Sequence, residues 1–291
     1  MRVRYTARLF VMLLLVASGA ARATVEIAII APRGAAETTA RWGELAKVMS
    51  DEIKEPVVIL PLTPAKIFDS AADGEADFVL SHSVHTVQLL EKVDGQVIAT
   101  VNGQSGPHFG GVIVSKKGSG ITKLADLRGK KVISMKFRES AGAYVFQAFE
   151  LSKAGIDPHK EFASFTEGTK QDELIMAVKS GAVDAAFART GLLEDMAKDG
   201  KIKLDEFEIV NAQKEPNFPD ALSTALYPEW CVTGMSHVPA QTEEAVKRAL
   251  LKVTADSAAA RAAEIKGFVT PIPLDSIKEV LKALKISPYD K

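Results

Sequence analysis

Short apolar runs alternate with stretches of helical period along most of this chain. Val25 to Ala31 is a nearly continuous apolar run and predicts a strand. Trp42, Leu45, Ala46, Met49 and Ile53 then recur at the spacing of one helix face. Val57 to Leu60 predicts the next strand, closed by Pro61; a helix follows over Pro64 to Ala72 and a strand over Asp77 to Leu80. This βαβ alternation predicts parallel sheets with helices on their faces.

A second series of the same kind follows Gly118-Ser119-Gly120. Lys131 to Met135 reads as a strand, and a helix runs from about Ser140 to Ala154, ending at Gly155, a residue suited to a helix C-terminus. Strands are predicted over Phe162 to Phe165, Asp184 to Ala188 and Phe207 to Val210. Helices are predicted over 170–180, with Leu174, Ile175 and Val178 on one face, and over 191–199, ending at Gly200. Two more apolar stripes, Val246-Ala249-Leu250-Val253 and Ile277-Val280-Leu281-Leu284, make the C-terminal part helical. No short repeat and no low-complexity segment interrupts the pattern.

The connections set the domain organisation. The two series are joined by a Gly-rich, apolar stretch around 101–120, and 212–226 can carry the chain back. That order of elements predicts a discontinuous first lobe, 24–112 plus 222–291, around an inserted lobe, 113–221. Two lobes joined by two crossovers make a hinged cleft. Ligands of open α/β sheets sit at the carboxyl ends of the strands.

The first residues change the picture of compartment. Arg2, Arg4 and Arg8 precede a short apolar run from Leu9 to Val16, and Ala21-Arg22-Ala23 fits a small-x-small cleavage site. Residues 1–23 therefore read as a cleavable secretory signal, and the apolar run is too short to span a bilayer. No Cys follows the run, so no lipid anchor is expected, and no later stretch reaches the roughly 20 apolar residues of a membrane span. A bacterial periplasm is the expected location. Removal of four arginines and no acid moves the net charge from −1 to −5, which argues against nucleic acid or an anionic membrane surface as partner. An anion site would then rest on local geometry. The single cysteine, Cys231, permits no internal disulfide.

Several stretches together resemble the PhnD-like (phosphate/phosphonate type) periplasmic binding proteins of ABC importers, and still more the periplasmic modules of tetrathionate-sensor-type histidine kinases. They are APRGAAETTARW at 31–42, DGEADFVLSHSVH at 73–85, FGGVIVSK at 109–116, LADLRGKKV at 124–132, GAVDAAFARTGLLEDMA at 181–197 and STALYPEW at 223–230. The resemblance implies a type II binding-protein fold, with a mixed sheet flanked by helices in each lobe and a ligand cleft at the hinge. It implies capture of a small oxyanion, phosphonate-like or a sulfur or arsenic oxyanion, with no catalysis and no cofactor. The implied partner is an ABC permease or a sensor-kinase ectodomain. The chain reaches Lys291 shortly after its last predicted helix, so no kinase of its own is expected; a monomer is expected. Three departures bear on the ligand. Ser81-His82-Ser83-Val84-His85-Thr86 stands where relatives often carry Asn-Pro and an aromatic residue. The loop at 168–172 is Gly-Thr-Lys-Gln-Asp rather than Gly-x-His-Asp, and Cys231 rather than Pro follows Trp230.

Candidate chemistry falls at strand ends and at one helix start. Ser140 is a natural N-cap, and the free N–H groups through Ala141, Gly142 and Tyr144 suit an oxyanion. The sequence alone equally allows a plain capped helix; the resemblance favours the anion, and implies a contact from Thr169 as well. Arg138 adds a charged fork or is a solvated surface residue. Ser81, His82, Ser83 and His85 follow a strand and offer hydroxyls and ring nitrogens for an anion; a structural role is the alternative, and metal binding would need His108 as a third ligand. Arg33 and Arg189, the latter beside Thr190, are the cation candidates, against the alternative of a salt bridge or surface charge. Ser223, Thr224, Tyr227 and Trp230 lie on the return crossover and wall a pocket or simply pack. Cys231 is either a soft ligand or a buried small hydrophobe. No nucleophile elbow, phosphate loop or HExxH motif appears, which leaves an exported enzyme and a metal carrier as the rival classes.

Overall fold

The computed structural model describes residues 24–31 and 34–290. The predicted signal segment, Arg33 and Lys291 lie outside the described residues. The first series runs β1 (Val25–Ile30), α1 (Ala35–Ile53), β2 (Val57–Leu62), α2 (Pro64–Ala72), β3 (Phe78–Ser81), α3 (Ser83–Leu90), β4 (Gly95–Asn102) and β5 (His108–Phe109). The second runs β6 (Gly111–Lys116), β7 (Lys131–Ser134), α4 (Phe146–Lys153), α5 (Pro158–Glu161), β8 (Ser164–Glu167), α6 (Gln171–Ser180), β9 (Ala185–Arg189), α7 (Leu192–Lys198) and β10 (Phe207–Val210). The chain finishes with β11 (Tyr227–Pro228), β12 (Cys231–Met235), α8 (Ala240–Leu251), α9 (Ala258–Ala263), β13 (Gly267–Val269) and α10 (Asp275–Ala283).

Two sheets result. One has the order β13-β4-β12-β3-β1-β2 and the other β10-β6-β9-β7-β8. The first sheet takes strands from both ends of the chain; the second takes all of its strands from between residues 111 and 210. Between them lies a short ribbon in which Tyr227 pairs with Phe109 and Pro228 with His108. The two crossovers thus run side by side, tied further by Glu229 N–H to the Pro107 carbonyl (3.0 Å) and Ser223 N–H to the Gly111 carbonyl (2.9 Å).

The βα alternation predicts parallel strands, and β1-β2, β1-β3, β7-β8 and β7-β9 pair that way. Each sheet is mixed, however, because β12 joins the first antiparallel to β3 and β4, and β6 joins the second antiparallel to β9 and β10. Both intruding strands are the ones next to the crossovers.

Local differences from the sequence reading have physical causes. β2 continues through Pro61 because it is an edge strand, where a residue without N–H forfeits no ladder bond on its open side. β8 starts two residues later than the apolar run. α3 has no visible period because Ser83 through Leu89 are all buried, and burial on every side erases the amphipathic signal. By contrast α1 follows its stripe: Trp42, Leu45 and Met49 are buried against the first sheet. Each such burial contributes roughly 1.5–3 kcal/mol before entropy is counted.

Candidate functional site

β3 ends at Ser81 and α3 begins at Ser83, which leaves His82 as the single residue between them. Its extended backbone (φ −70°, ψ 154°) folds the ring back over the first helical turn, where Nδ1 accepts a long hydrogen bond from the His85 N–H, 3.4 Å. The two imidazoles stack with centroids 4.0 Å apart and 28° between planes. Trp230 meets His82 edge-on at 5.9 Å, and Phe68 of α2 meets His85 edge-on at the same distance. The turn is locked by a 2.8 Å hydrogen bond between the Ser81 and Thr86 hydroxyls. The hydroxyl of Ser83 and Nδ1 of His85 are buried with no partner among the described residues. Burial pushes the His85 pKa down to about 4, with Lys136 adding to the effect. Burial, then the neighbouring His85, holds His82 well below the usual histidine range. Both rings are therefore neutral at pH 7.

The other candidate stretch follows β7 of the second sheet. After β7 the chain turns through Arg138, which has φ +64°, and reaches Ser140. From Ala141 to Val145 the first turn before α4 is wide, with Val145 N–H bonded to the Ser140 carbonyl at 2.9 Å. Ala143 departs from helical geometry (φ −128°, ψ 19°), which accounts for the extra width. The N–H groups of Ala141, Gly142 and Ala143 have no acceptor among the described residues, as expected of a helix start. The Ser140 hydroxyl makes no capping bond to that turn. Gln147, fully buried, clamps the turn from behind: its amide donates to the carbonyls of Gly142 (2.8 Å), Ala188 (2.9 Å) and Val112 (3.3 Å).

Val84 and Val87 of α3 share one apolar cluster with Ala141, Tyr144 and Val145 of the wide turn and with Phe109, Tyr227 and Cys231 of the crossovers. The start of α3 and the start of the wide turn are thereby held to the same core, and Lys136 at the turn's approach acts electrostatically on His85.

The remaining candidates are engaged otherwise. The Ser223 hydroxyl accepts from Ile113 N–H (2.9 Å) and donates to the Val210 carbonyl (2.6 Å). The Thr224 hydroxyl accepts from Gly111 N–H (2.9 Å), and the Thr190 hydroxyl from Gly110 N–H (3.1 Å). These three buried hydroxyls brace the crossovers. Arg189 is ion-paired with Asp195 at 2.8 Å and donates to the Thr190 carbonyl, the salt-bridge alternative of the sequence reading. Arg138 donates to the Lys285 carbonyl. Thr169 is exposed and bonded to Glu173 in the first turn of α6. Tyr144 joins an aromatic group with Phe137 and Phe165, its hydroxyl 3.2 Å from His159 Nε2. Tyr227 stacks on Phe146 with centroids 4.1 Å apart.

Cys231 takes the position of the buried small hydrophobe, the alternative of the sequence reading. It is completely buried in β12 between Ser81 and Thr100, and burial pushes its thiol up to about 12. A thiol that holds its proton is a poor nucleophile near neutral pH. His108 pairs with Pro228 in the ribbon, and no group of three or more His, Cys, Asp or Glu side chains placed to hold a metal occurs among the described residues.

Three residues escaped the sequence reading. Lys136 and Gln147 flank the candidate turn, and Glu229 stands on the return crossover with Oε2 accepting from Trp230 N–H at 3.0 Å. Burial raises the Glu229 carboxyl, opposed by that hydrogen bond and by Arg189 and Arg41. Glu229 lies inside the quoted STALYPEW stretch, where its position beside Trp230 was the available signal.

The comparisons with known proteins agree with this architecture. PhnD1 from Prochlorococcus marinus (MIT 9301), solved in complex with methylphosphonate, superposes with a TM-score of 0.72 at 16% identity, covering 90% of this chain and 98% of that one. A binding-protein component of a Pseudomonas aeruginosa ABC phosphonate transporter gives 0.71 at 15% identity, covering 91% and 88%. The tetrathionate sensor histidine kinase TtrS of Salmonella typhimurium is 30% identical over 254 residues, 83% of this chain; the match spans 41% of the length of that protein. Among the described residues no helix is long and apolar enough to cross a membrane. The two helix-flanked mixed sheets and their paired crossovers define a type II periplasmic binding-protein fold. Residues 27–275 match the profile of the ABC transporter, phosphonate, periplasmic substrate-binding protein family, and the chain belongs to it.

Proposed function

We propose that this chain is an exported, monomeric solute-binding protein that captures a small oxyanion between its two sheets and delivers it to an ABC permease, without catalysis. The lobes are 24–112 plus 222–291 and 113–221, with the paired crossovers as hinge. The observation that carries the reading is the wide turn after Ser140. Its leading N–H groups are unused among the described residues, and it is held by a common core to the neutral histidine pair at the start of α3. Backbone donors at a helix start bind anions without a formal positive charge, which suits a chain of net charge −5 once the predicted leader is removed. Arg33, outside the described residues, is proposed as a further contact from the end of β1.

A second reading is favoured by the likeness to the tetrathionate sensor: the protein presents its ligand to a two-component histidine kinase. The neighbouring genes separate the readings, a permease and ATPase supporting the first and a kinase the second. Thermal unfolding of residues 24–291 with millimolar phosphate, methylphosphonate, sulfate, thiosulfate, tetrathionate or arsenite tests both. A true ligand raises the midpoint in proportion to the logarithm of its concentration. No shift with any of the six would refute the anion-binding reading.

A further inference from the structure

Successive carbonyls of the wide turn are tied down. Ser140 accepts from Val145 N–H at 2.9 Å, Ala141 accepts from Phe146 N–H, and Ala143 accepts from Met135 N–H at 3.2 Å. The Gly142 carbonyl between them is held by a side chain, the Gln147 carboxamide, at 2.8 Å. In a trans peptide a carbonyl and the following N–H point in opposite directions. A Gly142 carbonyl aimed at the fully buried Gln147 amide therefore aims the Ala143 N–H the other way. Ala141 and Ala143 are 3% and 1% exposed, yet their N–H groups and that of Gly142 meet no acceptor among the described residues. Buried donors without an acceptor are rare, and a bound anion completes all three.

The Gln147 amide is itself fixed. Its two protons serve the short contacts, to Gly142 and to Ala188 of β9 at 2.9 Å, with Val112 of β6 at 3.3 Å. A reversed amide would set Oε1 against three carbonyls, so the orientation is settled by its surroundings. The amide lies over Gly111, where a Cβ would come within 2.4 Å of Nε2. Glycine at 111, the first residue of β6, is what gives the amide its place.

We infer that Gln147 is a positioning residue of the anion site, which locks the Gly142–Ala143 peptide with its N–H toward the ligand; this rests on the anion-binding reading above. The competing state is the same peptide rotated by half a turn. Gly142 has no Cβ to oppose it, and Ala143 passes from φ −128° to the left-handed region, which disfavours an alanine only about 10-fold. The rotated peptide presents a carbonyl oxygen where the donor stood and repels an anion. The hold of Gln147 on the Gly142 carbonyl decides between the two states, so a residue that never touches the ligand sets the third donor.

Amide 1H–15N spectra and calorimetric titration of residues 24–291 with phosphate, methylphosphonate and sulfate test this. In the wild type the bound anion should move the Ala141, Gly142 and Ala143 amide protons downfield. The Gln147 side-chain protons should move with them, because an anion on Ala143 N–H polarises the shared peptide and strengthens its carbonyl bond. Gln147→Met, similar in length and without a donor, should lose the Ala143 shift and keep the other two. It should bind at least about 10-fold more weakly, the worth of one hydrogen bond to a charged group. Gln147→Glu keeps one donor while its buried carboxyl is protonated, the state that three facing carbonyls favour, and should fall between Gln147→Met and wild type. Gly111→Ala should reproduce Gln147→Met, because its methyl displaces the amide. Wild-type binding that leaves Ala143 or the Gln147 side chain unmoved overturns this role while the anion site stands, and needs no variant to fold. Equal weakening of all three shifts in the variants, or affinity within about 2-fold of wild type, overturns it as well. No shift at any of the three amides with any of the three anions removes the anion site itself, and this role with it.

Discussion

A Cβ placed on Gly142 would lie 2.9 Å from the carbonyl oxygen of Gly110, with the Phe109 ring at 3.0 Å and the Arg189 Cβ at 3.2 Å. The wide turn therefore touches the first crossover at backbone distance, and the two cannot be separated by a methyl group without a shift of one of them. Gly142→Ala should destabilise the protein by about 1–3 kcal/mol through overpacking. Urea unfolding would show it as a lower midpoint with an unchanged slope. A midpoint within error of wild type would mean that the crossover yields easily.

Much of the frame was legible in the sequence because it rests on periodicity. The stripe Trp42-Leu45-Met49 and the apolar run of β1 are buried in one core, whereas β9 and β10 alternate between two cores and read as continuous apolar runs, so each pattern survives inspection. The site was less legible. α3 is buried all round and shows no period, and the width of the turn at 141–145 depends on Ala143 leaving helical geometry, which no residue type announces. The roles of Ser223, Thr224 and Thr190 depend on partners such as Gly110, Gly111 and Ile113, roughly 80 to 110 positions away. Hydroxyls look alike in sequence whether they face a cleft or a neighbouring strand.

Ser140→Ala separates a contact from a cap. The hydroxyl makes no bond to the turn it precedes, so its loss should change stability by no more than about 0.5 kcal/mol. If it faces the ligand, affinity should fall about 10- to 150-fold, the worth of one hydrogen bond to a charged group. Calorimetric titration with whichever anion stabilises the wild type reads this directly. Unchanged affinity would leave Ser140 a plain residue of the loop.

Acid should weaken the fold through His85. Its folded pKa is about 4 against 6.5 for an ordinary histidine. Between those values the unfolded chain takes up a proton that the folded chain refuses, so stability rises with pH across that window. The contribution is complete above pH 6.5 and is lost as pH falls toward 4. At about 1.4 kcal/mol per pH unit it amounts to at most ~3.5 kcal/mol. Urea unfolding at pH 7.5 and 4.5 should show a smaller loss for His85→Gln than for wild type. Identical losses would assign the acid sensitivity to other groups.

Cys231 should be silent to thiol reagents while the protein is folded. A fully buried thiol with its pKa raised to about 12 is almost wholly protonated at pH 8. Labelling by a disulfide reagent at pH 8 should reach one thiol per chain only in denaturant, and fast labelling of the native protein would contradict the burial. Cys231→Ser places a hydroxyl in the same closed site and should cost about 1–3 kcal/mol.

Ser223→Ala is the counterpart of Ser140→Ala. Ser223 Oγ bridges Ile113 N–H of β6 and the Val210 carbonyl of β10, and its own backbone accepts from the side chains of Asn211 (2.8 Å) and Gln213 (3.0 Å). Removal of the hydroxyl leaves one donor and one acceptor buried and unpaired. Water cannot replace the hydroxyl unless the site opens, because Ser223 has no accessible surface. The expected loss is about 2–4 kcal/mol, one to two such orphaned groups. The same change should leave ligand affinity nearly untouched at a temperature where the variant is fully folded, since the hydroxyl is committed to the return crossover. A variant that keeps its stability but loses affinity would reverse the assignment and place Ser223 at the ligand.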